Sequence, residues 1–444
     1  MTSELERLFE HLRFPSISTD SRHVDDVRKN GVWLKEQFEG MGLQVELHET
    51  PGNPVVVARN EAIEGRKTVL IYGHYDVQPV DPVELWDSPP FEPEIRDGKI
   101  WSRGGADNKG QHFVHMLGAE KTIKEEGDLP VNVIFLIEGE EEIGSPNLVP
   151  FIEQHRDQLA CDIIAVSDTG MVAAGLPTLG YGLRGVTCLE VVVKGPKGDL
   201  HSGVYGGCVA NPATAAARLV ATLHDDNGRI AVEGFYDEVA PLEDWEREMW
   251  AGIPGATDED LLETLGSPGP HGEPDYSMSE CIRARPTVEV NGIGGGYQGE
   301  GSKTVIPAEA MFKLSCRLVP GQDPETIQQR VEDHLRKHAP AGVILEITKG
   351  HSGKAYHTNP HSPYGKAAQI ALEKSFGRKP VLIREGGSIP IIQDMKDILG
   401  SDSLMLGLSH PDCQIHAPNE NFPVENFEKG IEMSRVLLNE IAKI

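Results

Sequence analysis

The sequence predicts an α/β protein with a mostly parallel sheet, interrupted by an inserted α+β domain. Two observations carry this. Over residues 1–182 apolar strand-like runs alternate with helical stretches, and the same pattern returns over 358–444. Between them, residues 183–357 show the period-two alternation of half-exposed antiparallel strands. A chain of 444 residues exceeds one ordinary core, so two or three domains are expected.

The elements follow in order. "MTSELERLFEHL" reads as a helix with Ser3 and Glu6 in capping-box spacing. It has neither the basic region nor the apolar core of a signal peptide. Over 22–42, Val24, Val27, Leu34, Phe38 and Met41 share one helical face that closes at Gly42. "LQVELHE", "NPVVVARN" and "KTVLIYGHYD" read as strands, "GQHFVHMLGAEKTIKEEG" as a helix, "VNVIFLI" (131–137) as a buried strand, "NLVPFIEQHRDQL" as a helix and "CDIIAVSD" as a strand. In the insert, "GVTCLEVVVKG", "EAMFKLSCRLVP" and "GVILEITKG" read as strands. "NPATAAARLVATLHD" reads as a helix capped by Asn211 with Pro212 at its first position, and "PETIQQRVEDHLRKH" as another. Residues 233–285, rich in Pro, Gly and acidic residues, read as an irregular excursion.

Charge and cysteine usage limit the partners. With 41 basic and 69 acidic side chains the net charge is −28, and no basic cluster offsets it. Nucleic acid and anionic membranes, both bound through Lys/Arg excess, are therefore disfavoured. No apolar stretch reaches membrane-span length. The six cysteines, at 161, 188, 208, 281, 316 and 413, form no C-x-x-C pair, which favours a reducing, cytoplasmic setting.

In an open α/β sheet, reactive groups gather outside the carboxyl ends of the strands. Here the loops deliver His74 and Asp76 ("LIYGHYD"), Asp107 ("WSRGGADNKG"), Glu141 and Glu142 ("LIEGEEE"), Asp168 ("IAVSD") and His416 ("QIHAPNE"). Singly, each has a structural reading: a loop histidine, an Asx-turn at Asp107, a cap at Asp168. Together they are the imidazole and carboxylate donors of a divalent-metal site. Two M²⁺ ions would be neutralised by Asp107, Glu142, Asp168 and one hydroxide. That leaves Glu141 as a carboxylate beside the metals, placed for general-base work, and Glu140 as a solvated residue. His112 and His115 lack an H-E-x-x-H context and are read as structural. "GGGYQGEGSKT" does not satisfy the phosphate-loop pattern, since Lys303 does not directly follow a glycine.

The segments "GHYDVQP", "W-x-x-x-P-F-x-P-x-I-x-D-G-K-I-W-S-R-G", "EGEEEIGS", "DLHSGVYGG", "GSKTVIPAEA" and "EGGSIP" resemble the M20 metallopeptidases, in the dipeptidase branch that includes carnosinase and cytosolic nonspecific dipeptidase. The resemblance spans essentially the whole chain. It implies a catalytic domain of residues 1–182 and 358–444, with 183–357 as a lid and dimerisation domain. It assigns His74, Asp107 and Asp168 to one metal, and Asp107 as a bridge, Glu142 and His416 to a second. Two divalent ions per subunit are implied, zinc first, with manganese or cobalt as alternatives. Asp76 would orient His74, Glu141 would be the base, and His201 would reach the other subunit's site to stabilise an oxyanion. Arg317 would grip the substrate carboxylate, with Thr304 and Ser388 as further candidates for substrate hydrogen bonds. Asp at position 168 leans toward a dipeptidase or aminopeptidase rather than an N-acyl amino acid deacylase, the alternative use of the same centre. Asn108 departs from the Asp or Met that relatives often carry there.

Overall fold

The apolar run at 131–137 forms the strand Asn132–Glu138, buried along its whole length. A strand buried on both faces needs neighbours on both edges. On one edge it runs parallel to Thr68–His74, with His74 opposite Glu138. That strand is parallel to Ile163–Val166, which is parallel to Ser403–Gly407. Antiparallel strands flank these four: Val55–Arg59 and Gln44–His48 beyond Asn132–Glu138, and Thr178–Leu183 beside Ser403–Gly407. The sheet is therefore mixed, with a parallel centre. The computed structural model describes residues 2–444. It divides into two compact units: Met1–Tyr181, Thr358–Ile383 and Ile391–Ile444 in the first, Gly182–His357 and Arg384–Pro390 in the second.

In the first unit the helix Lys109–Glu126 packs on the strand Thr68–His74 and on the helix Val424–Ile441. Its residues 109–119 are all buried, so polar members must find partners inside. Lys109 Nζ donates to the carbonyls of His11 (3.2 Å) and Phe14 (2.7 Å). His112 Nε2 lies 3.0 Å from His11 Nε2, and His115 Nε2 lies 2.8 Å from Ser167 Oγ. Both histidines are structural, as the sequence suggests. The first helix, Ser3–Leu12, is capped by Thr2, whose hydroxyl accepts the Leu5 N–H at 3.4 Å. Ser3 is not the cap, because it is already helical and the extended residue precedes it.

A second, three-stranded sheet joins Glu94–Arg96, Lys99–Trp101 and Asn421–Pro423. It brings the residues before Asp107 against those after His416. Asp107 and His416 thus come from loops tied to this small sheet, and not from the ends of central strands.

The second unit holds a four-stranded antiparallel sheet in the order Thr287–Gly295, Glu309–Leu318, Gly185–Lys194, Ile344–Gly353. Helices Pro212–Ala221 and Pro324–His338 pack on it around Leu189, Val191, Leu219, Phe312, Leu314 and Val331. Asn211 caps the first of them as expected, accepting the Ala213 N–H at 2.9 Å. The expected irregular excursion instead contains three short helices, Asp244–Ala251, Asp258–Leu265 and Met278–Ala284. Local capping starts them: Thr257 accepts the Asp260 N–H, and Ser277 with Glu280 forms a capping box. All six cysteines are free. No helix among the described residues is long and apolar enough to cross a membrane.

Burial pushes the His115 pKa down from 6.5 to about 4. A depressed basic group stabilises the fold above its unfolded pKa, and that stability is lost as pH falls from about 6.5 through about 4. The contribution reaches roughly 3 kcal/mol. Unfolding of the metal-free protein followed from pH 7 to pH 4 should show a shallower loss of stability in His115→Gln than in wild type. Equal slopes would assign the acid lability elsewhere.

Candidate metal centre

His74 ends its strand with the ring wholly buried. Its Nδ1 lies 3.1 Å from the Asp76 carbonyl oxygen and 3.4 Å from Asp76 Oδ1. Its Nε2 lies 3.2 Å from Asp107 Oδ1 and 3.7 Å from Asp168 Oδ1. The other Asp107 oxygen is 2.8 Å from His416 Nε2, which is also 3.3 Å from Glu142 Oε2. His416 reaches this position with a left-handed backbone, φ 62°. Asp107 therefore stands between two imidazoles, with Asp168 on one side and Glu142 on the other. All five residues proposed from sequence as ligands come together. Donor atoms of His74, Asp107 and Glu142 lie within 4.8 Å of one another.

The charges do not balance within the chain. No Lys or Arg among the described residues pairs with Asp107, Glu141, Glu142 or Asp168; the partners of this set are the two histidines. Burial drives the Glu141 carboxyl well above the usual range, opposed by His74 and reinforced by Asp168, Asp107 and Glu142. Burial also raises Glu142, against the His416 contact. Burial acts to raise Asp107, but His416 and His74 outweigh it and hold that carboxyl low. His416 is raised to about 10 by Asp107 and Glu142. Glu142 Oε1 is buried with no hydrogen-bond partner. An orphaned carboxylate oxygen, two imidazoles and several like charges fit divalent cations, whose charge offsets the repulsion and whose coordination takes up the lone pairs.

Other buried groups fix these side chains. Asp76 accepts the backbone N–H of Glu141 on Oδ1 (3.2 Å) and of Glu142 on Oδ2 (3.1 Å), so it seats the glutamate turn as well as facing His74. Gln78 Nε2 donates to Glu142 Oε2 at 2.7 Å. Asn108 Nδ2 donates to Asp168 Oδ1 (2.7 Å) and to the Ser167 carbonyl (2.6 Å). The residue that departs from the family pattern thus orients a candidate ligand.

Glu140 corrects the sequence reading. It is buried, not solvated, and accepts the Asn53 N–H at 2.9 Å and the Asn147 amide at 2.8 Å. The roles of Gln78, Asn108 and Glu420 escaped the sequence. Only the closeness of Asn108 to Asp107 and of Glu420 to His416 hinted at two of them.

In the second unit, Arg317 donates to Ser388 Oγ at 2.9 Å, and Ser388 in turn donates to the Arg184 carbonyl. Arg317 and Arg184 line a cavity of about 470 Å³, and neither has a carboxylate ion-pair partner among the described residues. Burial and the Arg317 charge lower Arg184 to about 10. His201 is exposed, and its Nδ1 accepts the Gly203 N–H at 3.0 Å. Its strand, Leu200–His201, pairs with Val305–Ile306, and the Thr304 carbonyl accepts the Ser202 N–H at 3.1 Å.

A parallel-centred α/β sheet carrying such a donor set, with a carboxylate left over, defines a metal-dependent hydrolase. Residues 70–440 match peptidase family M20/M25/M40. The chain is 33% identical to the Cys-Gly metallodipeptidase dug1 of Schizosaccharomyces pombe over 99% of its own length and 95% of that protein. It is 31% identical to the human Beta-Ala-His dipeptidase over 89% of this chain and 78% of that one. The crystal structure of the M20 family metallo-carboxypeptidase Sso-CP2 from Sulfolobus solfataricus matches at TM-score 0.86 and 34% identity, each chain covered at 100%. The chain belongs to the M20/M25/M40 peptidase family and is a metal-dependent peptidase, as the motif resemblance implied.

Wild-type protein purified with added zinc should carry about two equivalents of metal per chain, the number a dinuclear cage holds. Asp107→Asn should lose most of both, and His416→Ala about one, by plasma emission after gel filtration. Full occupancy in Asp107→Asn would exclude it as a shared ligand.

Proposed function

We propose that this protein is a dipeptidase that hydrolyses the peptide bond at a binuclear centre. His74, Asp107 and Asp168 would hold one ion, and Asp107, Glu142 and His416 the other. The observation that carries the reading is Asp107 set between two imidazoles, the buried His74 and the half-exposed His416, while the nearby Glu141 carboxylate has no hydrogen-bond or ion-pair partner among the described residues. Held by these residues, divalent cations would supply Lewis-acid polarisation of a carbonyl and a lowered water pKa, toward ~7. Zinc suits the mixed imidazole–carboxylate donors, with manganese and cobalt as alternatives.

Glu141 takes the water's proton and returns it to the leaving amine. Its backbone is held by Asp76, so the carboxylate is presented from a fixed turn. The Gly203 N–H occupies Nδ1 of His201, so in the neutral ring the proton sits on Nε2. That N–H is available for the developing oxyanion, a contact worth ~3–4 kcal/mol of barrier. The Arg317 guanidinium takes the substrate's terminal carboxylate, and Ser388 and Thr304 supply hydrogen bonds near it.

In this reading residues 183–357 form the lid and the homodimer contact, and His201 serves the other subunit's centre. Exposed Val204, Tyr205 and Ile293 on the second unit support an apolar partner surface. The six free cysteines support a cytoplasmic setting. The likeness to Sso-CP2, a metallo-carboxypeptidase, favours a second reading in which longer peptides enter. Arg317 would serve both. A panel of dipeptides, tetrapeptides and N-acetyl amino acids separates the dipeptidase from the carboxypeptidase and from a deacylase.

Glu141→Gln should keep its metals and lose more than nine-tenths of turnover, consistent with general-base contributions of ~10²–10⁴. Retention of a tenth or more would remove Glu141 from the base role. His201→Ala should lose turnover yet fold and dimerise. Mixed dimers of Glu141→Gln with His201→Ala should recover part of the activity, and no recovery would rule out a site shared between subunits.

A further inference from the structure

Glu420 lies four residues beyond His416 and is wholly buried. A carboxylate buried at this depth must be richly hydrogen-bonded to be tolerated. Its Oε1 accepts the N–H groups of Ala106 (2.8 Å) and Asp107 (3.0 Å). Its Oε2 accepts the Gly104 N–H (3.1 Å) and Arg103 NH1 (2.7 Å), and its carbonyl accepts the Ser102 N–H at 3.1 Å. One residue thus collects four of the six backbone N–H groups of residues 102–107, those of Arg103 and Gly105 going to the Pro90 and Ser102 carbonyls. Arg103, also buried, carries the tie further by donating to the Pro79 carbonyl at 2.8 Å, next to the Gln78 that holds Glu142.

Stability alone explains this poorly, since a buried ion pair seldom improves on apolar packing. What the arrangement does is fix the backbone of the Asp107 loop against the backbone that presents His416. Metal distances tolerate only about ±0.2 Å. We propose that Glu420 is a positioning residue of the metal centre, holding Asp107 at the bridging position by clamping its loop to the His416 loop. This rests on the metal-centre reading above.

The isosteric Glu420→Gln tests it. Whichever way the amide turns, its NH₂ end meets two donors, so either the Ala106–Asp107 pair or the Gly104–Arg103 pair is released. Metal-free protein titrated with Co²⁺ should bind about 10–100-fold more weakly in Glu420→Gln, with an altered visible absorption band at saturation. Its metal-free circular dichroism should match wild type. Glu420→Asp, which keeps the charge but is shorter, should fall between. Wild-type affinity and spectrum in Glu420→Gln would overturn the proposal, as would failure of both variants to fold, which would make Glu420 a determinant of the fold. Wild-type protein that takes up no Co²⁺ would instead bring down the metal centre, and this role with it.

Discussion

The constraint on which the first unit depends is a concentration of negative charge that the chain does not neutralise. Asp107, Glu141, Glu142 and Asp168 gather with His74 and His416 as their ion-pair partners, and no lysine or arginine pairs with them among the described residues. Like charges a few ångströms apart in a water-poor setting cost several kcal/mol. A fold that only needed stability would replace some of them with neutral side chains. That it holds them together makes sense once metal charge enters, and the chain belongs to a family of which a relative is a metallodipeptidase.

Holding such a set in place takes further carboxylates, used differently. Asp76, Glu140 and Glu420 are buried acids whose oxygens accept backbone N–H groups. Each accepts from a segment distant in sequence: Asp76 from the glutamate turn, Glu140 from Asn53, Glu420 from the Asp107 loop. Hydrogen bonds to a charged acceptor are stronger than neutral ones, and several on one carboxylate offset its burial. The first unit therefore has two sets of acids, one gathered around the two histidines and one bound largely to main-chain N–H groups.

This division explains what was legible in the sequence. The parallel strands announce themselves through runs such as 131–137, and the candidate ligands through chemistry at the ends of such runs. The small sheet that ties the Asp107 and His416 loops did not, because strands of three residues have no periodicity to read. The burial of Glu140 is not legible, because once Glu142 and Glu141 are given roles nothing local says that an N–H from 87 residues earlier meets the remaining glutamate. Glu420 is illegible for the same reason, its side-chain donors lying 313–317 residues away. The three short helices of 244–284 were legible in part: Ser277 and Glu280 stand in the S-x-x-E spacing already applied to the N-terminus, but the surrounding Pro and Gly masked it.

The adjacent glutamates show how backbone control separates two identical side chains. Asp76 takes both of their N–H groups, so neither carboxylate is needed at the start of the turn. Glu142 is then drawn toward His416 and held by Gln78, which fixes one oxygen and leaves the other buried and unpartnered, facing ligand chemistry. Glu141 receives no such partner, and burial together with the surrounding acids raises its proton affinity. Cations in the cage would lower that affinity again, toward the neutral range in which a carboxylate both accepts and releases a proton readily. Two residues of the same type, one position apart, thus meet different surroundings although a single aspartate, sixty-five residues upstream of the first, holds both of their N–H groups.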